Sequence, residues 1–95
     1  MILEIATFDI KEGHQAAFEQ TFQVAEAVVS QSKGFVSLKF HHCIEIPTKY
    51  KVLIHWETLE DHTIGFRQSI LFTEWRTILS PHFQNPPLAE HFEIM

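Results

Sequence analysis

Ninety-five residues, 45% of them hydrophobic and 13% aromatic, suffice for one compact core but not two, so a single domain spanning residues 1–95 is expected. A formal charge of −5, with seven Lys and Arg scattered along the chain, excludes the basic stripe that nucleic acid requires. Apolar runs of only a few residues exclude a helical membrane span, which needs about 20.

The lone Cys43 cannot close an internal disulfide, and the N-terminus lacks the basic start, apolar run and cleavage site of a secretory signal. A cytoplasmic location is therefore expected. A chain this short buries a modest fraction of its surface, so association with a second copy of itself is expected as well.

Ile2 to Asp9 is apolar, β-branched or aromatic with no 3.6-residue period, which predicts a first strand. After Gly13, the residues His14, Phe18, Thr21, Phe22, Ala25, Val28 and Val29 recur at three- and four-residue steps. They predict an amphipathic helix closing near Lys33 and Gly34, where glycine can take a left-handed conformation.

From Val36 to Ile46, and again from Tyr50 to Glu57, even positions are mostly apolar and odd ones mostly polar, predicting two strands of a hairpin. Keeping both apolar sets on one face favours a three-residue loop, Pro47 to Lys49. That register sets Glu45 opposite Lys51 and His41 opposite His55.

A second helical stretch follows Asp61. One apolar face runs through Leu59, His62, Phe66, Ser69 and Ile70, and a rotated one through Leu71, Phe72, Trp75, Ile78 and Leu79, so a kink near Ser69 is expected. Prolines at 81, 86 and 87 end this region, and Leu88 to Ile94 reads as a last strand. The order strand, helix, strand, strand, helix, strand predicts an α+β, ferredoxin-like βαββαβ fold with two helices on one face of an antiparallel sheet. Leu3, Ile5 and Leu53 leave the other face partly apolar, and a homodimer through that face would cover it.

His62, one turn before Phe66, is the candidate general base, because imidazole titrates near neutrality and an apolar wall tunes it. The alternative is a boundary histidine bonded to nearby backbone. Phe22, Phe40, Trp56, Phe66, Phe72 and Trp75 are candidate walls of a pocket for a flat aromatic ligand, or simply core; Arg67 and Ser69 face either that pocket or solvent. Bonding of Ser69 to backbone would equally account for the kink. His41, Cys43 and His55 share a sheet face in the expected register and form a partial metal set, but no CxxC or HxxxH spacing supports it, so no metal is assigned. The glycines are isolated, so no phosphate-cradling loop and no nucleotide cofactor is indicated.

The opening strand, Ile10-Lys11-Glu12-Gly13 followed by Phe18, Gly34-Phe35, the Pro47 hairpin, Trp56, and His62 through Phe72 together resemble an antibiotic biosynthesis monooxygenase domain over nearly the whole chain. The resemblance implies a dimeric α/β barrel and oxygenation of a phenol, quinol or anthrone-like substrate by molecular oxygen, with neither metal nor flavin. It gives His62 the role of base, the rings at 56, 66, 72 and 75 that of holding the substrate, and Arg67 or Ser69 that of stabilising an oxyanion. Related haem-degrading enzymes use an Asn, a Trp and a later His where this chain has Thr7, Phe66 and Arg76, so haem is not implied. A non-catalytic dimeric ligand-binding or sensor module of the same fold stands as the alternative.

Overall fold

A computed structural model describes residues 1–95. The elements are β1 (Ile2–Asp9), α1 (Gln15–Val29), β2 (Phe35–His42), β3 (Lys49–Trp56), α2 (Ile70–Leu79) and β4 (Leu88–Glu93), with a π-helical turn over Asp61–Phe66 and a 3-10 turn over Ser80–His82. The strands form one antiparallel sheet in the order β2-β3-β1-β4. This is the expected βαββαβ ferredoxin-like arrangement, and the sheet is open, with β2 and β4 at its edges.

Alternation along the strands sends Ala6, Phe8, Tyr50, Val52, Ile54 and Trp56 to the helix side, where all are buried. The core is completed by Phe18, Phe22, Ala25, Val28 and Val29 from α1 and by Trp75 and Leu79 from α2. Phe22 stacks on Phe40 at 3.9 Å between ring centroids, and Phe40 stacks on Tyr50 at 5.4 Å. Each ring buried here contributes about 1.5–3 kcal/mol by leaving water. On the opposite face Leu3, Ile5, Leu53 and His55 are half-buried, while Leu88 and Phe92 are exposed.

The hairpin departs from the expected register. β2 ends at His42, and residues 43–48 form a six-residue connection in place of three. Leu38 pairs with Ile54 and His42 with Tyr50, so His41 lies across from Lys51 and His55 across from Ser37, whose hydroxyl is 3.3 Å from His55 Nδ1. The inward faces survive because the slip is by an even number of residues. Cys43 lies beyond the strand, its thiol 3.6 Å from Glu45 Oε1, and it does not join His41 and His55 in a group placed to hold a metal ion.

α1 ends at Val29, earlier than expected, and Gly34 opens β2 instead of closing the helix. Its φ of +84° is the left-handed conformation foreseen, and a Cβ there would collide with the Asp61 carboxylate. The kink near Ser69 is a full break: Ser69 is extended (φ −99°, ψ 164°), and its hydroxyl donates to Phe66 O at 2.7 Å. No helix is long and apolar enough to cross a membrane.

Candidate functional site

The break at Ser69 swings α2 away from the π-helical turn and leaves a cavity of about 550 Å³ between α2, the residue 80–87 connection and the β1/β4 half of the sheet. Small-molecule sites commonly measure about 300–1,000 Å³, so a fused-ring aromatic fits. The floor is Glu4, Ala6, Phe8, Ile54 and Ala89; the walls are His62, Phe66, Phe72, Trp75 and Phe83; and Arg67, Arg76, Ser80 and Gln84 to Pro87 surround the opening.

Five of the nine sequence candidates therefore meet at this cavity: His62, Phe66, Arg67, Phe72 and Trp75. The other four do not line it. Phe22 and Phe40 stack on each other beneath α1, where the space is filled. Trp56 is fully buried behind His62, and Ser69 uses its hydroxyl to hold the helix break.

A π-turn carries an extra residue per turn and often marks a functional segment. Here it buries both His62 and Phe66 against the sheet while Arg67 stays exposed. The His62 ring lies nearly parallel to Trp56 at 5.2 Å. Its Nδ1 is 2.7 Å from His91 Nε2, and its Nε2 is 3.4 Å from Glu4 Oε1. The same Glu4 oxygen accepts the Trp56 indole N–H at 2.9 Å. Glu4 and His91 are cross-strand partners on β1 and β4, which sets both on one face of the sheet beneath the π-turn.

Three titratable groups thus run in line from the cavity floor to the half-exposed His91 at the sheet edge. Burial pushes the Glu4 carboxyl above the usual carboxylate range, opposed by the Trp56 hydrogen bond and the nearby Arg67 charge. Burial, with Arg67 and His91 adding to it, pushes His62 down to about 4. His91 is also lowered, by burial and then by Arg67. Both shifts favour the neutral imidazoles, in which a ring N–H of one donates to a ring nitrogen of the other.

Glu4 and His91 were not singled out from the sequence. Glu4 does carry a signal there, a carboxylate on the face otherwise set by Ala6 and Phe8. His91 carries none without the sheet order.

The profile of the antibiotic biosynthesis monooxygenase family matches residues 1–85. The chain belongs to that family. Among its relatives is the uncharacterized protein YczJ of Bacillus subtilis, 41% identical over 93 residues, 98% of each chain. A crystal structure from Bordetella bronchiseptica, of a protein named as a candidate antibiotic biosynthesis monooxygenase, superposes with a TM-score of 0.95 at 33% identity, covering 99% of this chain and 96% of that one. SnoaB of Streptomyces nogalater, described as a cofactor-independent oxygenase, shares the fold with a TM-score of 0.82 at 17% identity, covering 98% of this chain and 91% of that one.

Proposed function

We propose that this member of the antibiotic biosynthesis monooxygenase family is a cofactor-independent monooxygenase of a small phenol, quinol or anthrone-like substrate. The observation that carries the reading is the Glu4–His62–His91 line, set in the floor and wall of an aromatic cavity. Family membership and the description of SnoaB support it.

An electron-rich ring that loses a proton can itself reduce oxygen, so the protein has three tasks: bind the ring away from water, accept its proton and stabilise the anion. Phe66, Phe72 and Trp75 supply apolar surface for the ring. Glu4 meets the substrate proton at the cavity floor, and His62, with both ring nitrogens engaged, relays it toward His91. Arg67 is the oxyanion partner, since the Ser69 hydroxyl is committed to Phe66 O. One oxygen atom ends in the product carbonyl and the other leaves as water with two substrate hydrogens.

The protein acts as a homodimer that covers Leu3, Ile5 and Leu53, and it works in the cytoplasm, where Cys43 stays a thiol.

Oxygen uptake with a panel of phenols, quinols and anthrone tests the reading. His62→Ala and Glu4→Gln should each slow turnover at least about 100-fold, the usual share of a general base, with ring binding retained. Unchanged turnover in both variants removes this line from the chemistry. Thermal stabilisation by the panel without oxygen uptake identifies a binding module instead.

A further inference from the structure

The chain contains two arginines, Arg67 and Arg76, and both stand at this cavity, whereas none of its five lysines does. Neither guanidinium lies within 4 Å of a carboxylate; the two ion-pair contacts in the chain are His42–Glu19 and His62–Glu4. Nor does either donate a side-chain hydrogen bond to the protein. Arg76 lies 5.8 Å over the Phe72 ring, which steadies it beside an aromatic wall without using its donors.

Two unpaired guanidinium groups at one opening, in a protein of net charge −5, form a local positive field where the rest of the molecule repels anions. That field reaches inward, since Arg67 bears on Glu4, His62 and His91 alike. The planar guanidinium fork matches a carboxylate, donating two parallel hydrogen bonds to its oxygens. Deeper in the cavity the lining has the opposite character: the buried Glu4 and His62, suited to a hydroxyl.

We infer that the cavity takes an aromatic hydroxy acid, with its hydroxyl toward Glu4 and His62 and its carboxylate toward Arg67 and Arg76. Binding is then oriented as well as selected, because a reversed ligand would set its carboxylate against the Glu4 carboxyl. This inference rests on the reading of the cavity as a substrate site, but not on oxygen chemistry occurring there.

The test compares 6-hydroxy-2-naphthoate with its methyl ester, which has the same rings and hydroxyl but no charge, by titration calorimetry of the full chain. The acid should bind about 10- to 100-fold more tightly, the range of charge-assisted hydrogen bonds, and the preference should shrink with added salt. The Arg67→Gln, Arg76→Gln double variant should bring acid and ester to within about threefold, while the corresponding double Lys variant, which keeps charge and loses the fork, should retain part of the preference. Equal affinities in the unmodified protein, or no binding of either compound, overturn the inference. So does a double Gln variant that weakens acid and ester alike, since the arginines would then serve shape alone. Oxygen uptake is followed separately: acid preference without uptake defeats the oxygenase reading and leaves this one standing, and uptake of neutral phenols without acid preference does the reverse.

Discussion

The protonation of His62 makes a prediction about stability that needs no substrate. The ring is 3% exposed and its folded pKa is pushed down to about 4, against an ordinary value of about 6.5 in the unfolded chain. Between these values the unfolded chain binds the proton and the folded one does not, so stability falls as pH drops from about 6.5 to about 4 and levels off below. At about 1.4 kcal/mol per pH unit the full loss is about 3 kcal/mol. That figure is an upper bound, because the Glu4 carboxylate 3.4 Å away favours the protonated ring when it is ionised. Urea unfolding at one protomer concentration and a series of pH values, for the unmodified protein and His62→Gln, isolates the contribution. Most of the difference in slope between them should lie between pH 6.5 and 4.5, and the His62 Hε1 resonance should not move above pH 5. Parallel pH profiles, or a native His62 titrating near 6.5, would mean that burial does not hold the ring neutral.

Phe22→Ala removes a ring stacked at 3.9 Å in the filled half of the core, so unfolding should become easier by about 3–5 kcal/mol while the affinity of the remaining folded protein for naphthoate stays the same. Trp56→Phe deletes the indole N–H that holds Glu4; the carboxyl should titrate at still higher pH, and denaturation should show a loss of about 1–3 kcal/mol. Gly34→Ala should destabilise more than Gly13→Ala in thermal melts, because both have positive φ but only at Gly34 would a Cβ meet a side chain, that of Asp61. Leu53→Glu charges the sheet face that the proposed homodimer covers and should yield monomer in sedimentation where the unmodified protein gives dimer; a monomeric unmodified protein refutes the homodimer, and a dimeric variant places its interface elsewhere.

The alternation of β3 and the helical period of α1 were legible in the sequence because each buries one well-marked face, whereas β1 was legible as an apolar strand buried over much of both faces and in the structure fully buries only one. The β2–β3 register was not legible. Periodicity fixes only parity, and a four-residue slip keeps Leu38, Phe40, Val52 and Ile54 inward while moving the partner of His41 from His55 to Lys51. The site was half legible for a related reason. Composition shows an excess of rings but not where the void falls: Phe22, Phe40 and Tyr50 pack face to face in the filled half, while Phe66, Phe72 and Trp75 meet edge to face along the cavity wall. Glu4 and His91 come together only through the β1–β4 pairing, a long-range event that no local spacing encodes.

The wide turn over Asp61–Phe66 makes this segment sensitive to length as well as to composition. Removing one exposed residue from it, such as Ile64, while the remaining residues keep their wide pitch would turn the imidazole and the guanidinium by about a quarter revolution relative to each other, one step of the spiral. Loop grafting between homologues that conserves every side chain named above but shortens this stretch by a single position would yield a folded protein with a disassembled centre.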